Sequence, residues 1–442
     1  MLELLINTLE EFSGVEYLIK KSKTRRIENY NIKKQSEMFR EVDITELLLT
    51  LYVTFTDKDE AGSEVKYRGS YNTEIHPGTS AEELRKIIGQ GVFAAGFVKN
   101  AWYPLVTPES PAATVADDVT IDEKKVLSEL QNAFYSSDTH KMGHICYSEF
   151  FLTCSDIRII NSSGVDISYK IHNAYIETAV HWRDEKDGEI EVFEEYRFSI
   201  PTDITAACEM LKSRVEHLFT VSEKKSQAVP TPQAENINIL LTGECLAEFF
   251  SYYLTRANAQ MVYQQLSTFK EGEQVQGGSG EPGDKLSLEL LSMMSGSSHS
   301  RLCDDDGMPL SNHKIIEDGK LLKYWGNTRF SSYLGIPPTG AISNMCITGG
   351  TAKIEDLKRE PYLELVSFSD FQVNPVTGDF ISEIRLGFYF DGKKTAPVTG
   401  GSITGSITKV QDTMRMSTEQ KQYNSYLGPA TISITNATIS GV

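Results

Sequence analysis

The chain has 442 residues, 40% of them hydrophobic and 24% charged, a balance that fits a soluble globular protein too long for one ordinary core. Its net charge of −18 repels the phosphate backbone, so no direct nucleic-acid partner is expected. No apolar run is long enough for a transmembrane helix, and the acidic start Met1-Leu2-Glu3 lacks the basic opening of a secretory signal. Cys146, Cys154, Cys208, Cys245, Cys303 and Cys346 are scattered without a CxxC pair, which argues against disulfides and a cysteine-rich zinc site and points to a reducing cytoplasm.

In chain order, the basic run Lys20 to Arg26 is the first feature, and it reads as a solvated turn or helix end. Leu49, Leu51, Val53 and Phe55 then alternate with polar or aromatic residues, the period of a half-buried strand. Ser80 and Glu83 have capping-box spacing, and Leu84, Ile87, Ile88, Gly91, Ala95 and Val98 continue at helical intervals. Thr107 to Asp118 is a loop rich in Pro, Ala and Asp. Ile157 to Ile160, Asn161-Ser162-Ser163-Gly164 and the run after Val165 form a hairpin. A helix is expected from Asp203, as its cap, to about Phe219.

Lys224 to Asn236, with Pro230 and Pro232, reads as a linker. It divides an N-terminal α+β domain (1–225) from a β-rich C-terminal domain (226–442). The second opens with a buried strand at Ile237 to Leu241 and a helix from about Glu244. Gln274 to Lys285 is polar and Gly-rich and reads as a mobile surface loop. Beyond Leu302 the pattern turns to β: Asp318-Gly319 and Asp391-Gly392 sit between apolar runs, and Ile432, Ile434, Ala437 and Ile439 alternate with polar residues. The fold class is therefore α+β, with a mixed first domain and a second of mainly antiparallel sheet around a central helix.

Thr242-Gly243-Glu244-Cys245-Leu246-Ala247-Glu248-Phe249-Phe250, Met261-Val262-Tyr263 and Gly272-Glu273-Gln274-Val275 form one ordered set of motifs. Asp304-Asp305-Asp306-Gly307-Met308-Pro309, Ile316 to Leu321, Ser343-Asn344, Gly349-Gly350 and Thr377-Gly378-Asp379-Phe380 continue it, and Ala101 to Leu105 and Asn161 to Gly164 precede it. The series resembles the TldD/PmbA peptidase family, also labelled modulators of DNA gyrase, and within it the PmbA/TldE type. The resemblance implies an N-terminal α+β domain and a C-terminal domain of largely antiparallel sheet. It also implies a zinc peptidase chemistry carried by TldD-type subunits, through an HExxxH helix and a cysteine near the C-terminus.

In that frame the present chain reads Gly243, Glu244 and Glu248 where His, Glu and His are required, and no cysteine follows Cys346. Catalytic zinc needs three protein ligands and an open position, which this set does not supply. The helix itself is amphipathic: Leu246, Phe249, Phe250, Tyr253, Leu254 and Ala257 share one face, and Glu244, Glu248, Ser251 and Thr255 the other. The polar face is read as solvated, or as lining the cleft where a partner's zinc site meets its peptide.

Two other clusters hold metal-ligand types. His140 and His144 are spaced i, i+4, but Ser136, Ser137 and Asp138 break a helix there. His299 and Cys303 adjoin Asp304, Asp305 and Asp306, which read first as a tight acidic turn. No GxSxG elbow, phosphate-binding P-loop or strand-borne GxGxxG occurs. The expectation is a metal-free, non-catalytic PmbA/TldE-like subunit whose zinc belongs to a TldD-type partner, acting on peptides or unfolded proteins, with a homodimer as a further pairing. A self-sufficient peptidase using Glu244, Glu248 and the His299/Cys303 cluster is the first alternative. A protein-binding modulator of DNA gyrase is the second.

Overall fold

The computed structural model describes residues 1–59, 61–108, 121–183, 188–201, 203–233, 237–277, 282–359 and 361–441. Most of the expected loop at 107–118, the end of the expected linker and 278–281 lie outside the described residues.

The first half contains α1 (Leu2–Glu10), β1 (Val15–Ile32), β2 (Gln35–Lys58), β3 (Glu64–Glu74), α2 (Ala81–Ala95), β4 (Asn100–Ala101), α3 (Glu123–Ser136), β5 (Gly143–Asn161), β6 (Asp166–Arg183), β7 (Glu189–Ser199) and α4 (Thr205–Ser226). Its strands form one antiparallel sheet in the order β4-β3-β2-β1-β5-β6-β7. Period-2 patterning explains how that sheet is covered. Ile19 and Ile27 share parity on β1; the first meets α1 and α2 with Leu49 and Leu51, the second meets α3 and α4 with Phe150 and Ile176. The capping box forms as expected, with Ser80 Oγ accepting from Glu83 N at 3.3 Å. Val98 falls beyond the end of that helix.

The basic run is not a turn. Lys20 to Arg26 lies inside β1, paired with β2 and β5 on both sides. Its charges point to both faces and find acids within the sheet: Arg25 on Glu41 of β2 at 2.8 Å, and Arg26 on the buried Glu28 of β1 itself at 2.6 Å. The hairpin at Asn161 is held by its side chain, which accepts from Ser163 N (2.9 Å) and Val165 N (3.0 Å) and donates to Val106 O (2.7 Å). Helix α4 runs past Phe219 to Ser226, because Val215, Leu218 and Ser222 keep one stripe buried. Asp203 lies one residue outside its cap position and still accepts from Thr205 N at 3.0 Å.

The second half contains β8 (Val229–Pro230), β9 (Asn238–Thr242), α5 (Cys245–Arg256), α6 (Ala259–Tyr263), β10 (Ser287–Leu291), β11 (His313–Glu317), β12 (Lys320–Leu321), α7 (Thr328–Leu334), β13 (Asn344–Thr348), α8 (Ile354–Leu357), β14 (Tyr362–Phe368), β15 (Gln372–Val373), β16 (Asp379–Phe390), β17 (Thr395–Thr399), β18 (Ser402–Ser406), α9 (Ile407–Val410), β19 (Arg415–Met416), β20 (Gln420–Tyr423), β21 (Tyr426–Pro429), β22 (Thr431–Ile434) and β23 (Thr438–Ser440). Two sheets result, β12-β11-β10-β13-β21-β20 and β19-β22-β9-β14-β16-β17-β8, the latter extended by β15, β18 and β23. Most pairings are antiparallel; β9–β14, β13–β21 and β8–β17 are parallel. Helix α5 is the centre: Leu246, Phe249, Phe250 and Tyr253 are buried in one apolar cluster shared by both sheets. The molecule is thus α+β with mainly antiparallel sheets.

Asp318-Gly319 turns β11 into β12 with both residues at positive φ, and Asp391 accepts from the N–H groups of Lys393 and Lys394 in the turn before β17. The stretch from Gln274 is less exposed than its composition suggests. Gln276 is fully buried, its Oε1 accepting from Leu286 N and its Nε2 donating to Asp284 O.

Candidate functional site

The N-terminus of α5 meets the first half through α4, which packs on β6 and β7 with one side and on β16 and β17 with the other. Gly243 opens the turn into α5 at φ +102, a conformation that favours glycine, and it offers no side chain. Glu244 follows and forms an ion pair with Arg214 of α4. The Arg214 guanidinium lies 4.8 Å above the Tyr196 ring of β7.

On β7 the inward row is Val192, Glu194, Tyr196 and Phe198, so one carboxylate interrupts an apolar face. Burial pushes Glu194 up to about 7, the Glu244 carboxylate pushes the same way, and Arg214 opposes both. The Tyr196 hydroxyl is buried without a hydrogen-bond partner among the described residues. Tyr423 of β20 closes the group; burial and then Glu244 raise its phenol to about 12. The arrangement is an acid–base–acid chain, Glu194, Arg214 and Glu244, across the junction of the two halves. Burial and the Glu244 charge together favour the protonated form of Glu194. The sequence reading missed Glu194, although its signal was present: a Glu at apolar parity in Glu189-Ile190-Glu191-Val192-Phe193-Glu194-Glu195-Tyr196.

Glu248, one turn on, faces elsewhere. Burial and the Asp370 carboxylate raise its pKa, and a bond from Val373 N opposes them. Glu244 and Glu248 therefore have separate partners on separate elements. Buried Cys245 lies against the Thr242 carbonyl (3.7 Å), and the 420–429 hairpin presents Gln, Lys, Tyr, Asn and Ser but neither His nor Cys. Among the described residues no three side chains of His, Cys, Asp or Glu gather as a metal-binding group. The donor set at α5 thus does not fit a zinc ion.

His299 is exposed, and its N–H donates to Ser297 Oγ at 3.1 Å. Cys303 is buried with Ile157, Ile159 and Tyr169, and burial pushes its thiol up to about 12. His140 stacks on Phe219 (4.5 Å between ring centroids), and His144 lies in β5, edge-on to His181. Asp304 forms a tight turn: its carboxylate accepts from Asp306 N (3.0 Å), Met308 N (2.9 Å) and Ala341 N (3.1 Å). This turn docks on the sheet of the first half, where Asp305 pairs with Lys20 at 2.6 Å.

A two-half α+β molecule with a central helix and a ligand-poor helix entry defines the class. Residues 234–441 match the family described as "PmbA/TldA metallopeptidase C-terminal domain". Over that second half the chain carries the C-terminal domain of the TldD/PmbA family. Over their full lengths the chain and TldE from Thermococcus kodakarensis superpose with a TM-score of 0.75 at 17% identity. A protein described as a modulator of a DNA gyrase from Thermotoga maritima gives 0.72 at 15% identity, over 99% of this chain and 98% of that one. One described likewise from Bacteroides thetaiotaomicron gives 0.72 at 16% identity, over 100% and 98%. An uncharacterized protein of Methanocaldococcus jannaschii is 23% identical over 265 residues, 57% of this chain and 59% of that relative, so the match spans less than two thirds of the relative's length. No helix among the described residues is long and apolar enough to cross a membrane.

Proposed function

We propose that this chain is the non-catalytic, TldE-like subunit of a TldD/TldE-type metallopeptidase, its zinc carried by a TldD-type partner. The observation that carries this reading is the state of the α5 entry. A hydrolytic zinc site needs three ligands and a free carboxylate base. Here Gly243 supplies no donor, Glu244 is neutralised by Arg214, and Glu248 is turned to β15. The domain division at 225/226 belongs to the same reading: the second unit brings the degenerate helix to the partner, and the first supports it through α4. A peptide or unfolded segment binds in extended form by adding to a sheet edge, which reads backbone more than side chains. The subunit acts in the cytoplasm.

The test is zinc uptake. The purified chain, incubated with zinc and then desalted, is expected to retain well under one equivalent by elemental analysis and to cleave no peptide. One tightly held equivalent together with turnover, lost on Glu244→Ala, would establish a self-sufficient peptidase instead.

A further inference from the structure

Where the acidic turn docks on the first sheet, a cleft of about 350 Å³ remains between the two halves. That volume is at the small end of ligand sites. Tyr52 of β2, Tyr103, Asp306 and Arg329 line it, and Tyr52, Tyr103 and Asp306 also line a narrow crevice continuing inward to Thr328.

The charges there are unmatched. Lys20 and Arg301 share Asp305 at the rim, whereas Asp306 and Arg329 form no ion pair among the described residues. The Asp306 carboxylate also accepts no hydrogen bond, although its own N–H is used in the turn. Arg329 gives two of its five donors to neutral acceptors, Asn100 Oδ1 (2.7 Å) and Tyr333 OH (3.2 Å). Thr328 is nine-tenths buried, and its hydroxyl has no partner among the described residues. An anion and a cation without ion-pair partners thus face one small cleft, and the unsatisfied hydroxyl lies at the crevice beyond it. The Tyr52 and Tyr103 rings, edge-on at 6.5 Å, wall the cleft, and the Arg68 guanidinium already lies 5.7 Å and 5.3 Å from them. Burial and the carboxylates of Asp304 and Asp305 push Asp306 up to about 6, a strain that an incoming cation relieves.

We propose that this cleft binds a small zwitterion of the amino-acid or dipeptide class, with its ammonium on Asp306 beside the two tyrosines and its carboxylate on Arg329. The inference does not rest on the subunit reading, since no residue of the α5 entry takes part.

The experiment is calorimetric titration of the full chain with L-alanyl-L-alanine, its N-acetyl derivative and its C-terminal amide. The unmodified dipeptide is expected to bind, and each blocked form to bind roughly tenfold more weakly or worse, the scale of losing one partner of a desolvated charge pair. Asp306→Asn should bind the free and the N-acetylated dipeptide alike, and Arg329→Gln the free and amidated forms alike. Because the blocked ligands probe the unmutated chain, a variant that failed to fold would not rescue the idea. No binding of the free dipeptide at millimolar concentration, or equal binding of all three ligands, would overturn it. Binding that tolerates the amide but not the N-acetyl group would sink the Arg329 half.

Discussion

Glu194 is a carboxylate on the apolar face of its strand, and Glu194→Gln turns that into a measurement. Its carboxyl rises from the ordinary 4.5 to about 7. The folded state therefore binds the proton more tightly than the unfolded chain between those values. Stability falls as pH rises through that window: below 4.5 both states are protonated and nothing is lost, and above 7 the full penalty applies. At about 1.4 kcal/mol per pH unit of separation the penalty is about 3 kcal/mol. Some solvent reaches the carboxyl, so screening makes this an upper value. Glutamine keeps the shape and removes the charge. Urea unfolding of both proteins at about pH 4 and about pH 8 should give equal stabilities at the lower value, and a more stable variant, by up to about 3 kcal/mol, at the higher. A variant no more stable at about pH 8, or a gap independent of pH, would refute the buried, proton-holding Glu194.

The other predictions concern the same junctions. Arg214→Met removes the cation between Glu194 and Glu244 and should raise the Glu194 midpoint further, seen in a pH titration of its side-chain carboxyl by NMR. Phe250→Ala empties a fully buried site stacked on Tyr426 (6.1 Å between centroids) and should cost about 3–5 kcal/mol in chemical unfolding. Gly307→Ala should destabilise by at least about 1–2 kcal/mol, since the residue sits at φ +82 and an added Cβ would lie 2.7 Å from Val165 Cγ1. Asn161→Ala leaves two N–H donors and the Val106 carbonyl without their partner and should cost about 2–4 kcal/mol.

Elements written in local patterns were legible. The alternation of Leu49 and Leu51, the Ser80/Glu83 box, the Asn161 hairpin, the Asp318-Gly319 turn and the apolar stripe of α5 all depend on residues within a few positions of one another. What sequence did not reveal depends on partners far along the chain. Lys20 to Arg26 looked like a solvated run because its acids, Glu41 and Asp305 among them, come from other elements. Gln276 looked like loop until Asp284 and Leu286 were seen to satisfy it. Glu194 resembled any surface glutamate of a charged strand; only the return of α4 over β7, with the Arg214 and Glu244 charges nearby, half-buries it. The replacement of the family's His pair by Gly243 and Glu248 was visible in the residues themselves. The Arg214 clamp on Glu244 was not, because 30 residues separate the pair.

The most direct test of the central claim is peptidase activity of the purified chain alone, of a TldD-type protein from the same cell alone, and of the two mixed. The account predicts no turnover by this chain alone, and cleavage by the mixture that depends on the partner's zinc and exceeds what the partner achieves by itself. Chelator-sensitive cleavage by the single chain, or a mixture no more active than the partner, would contradict it.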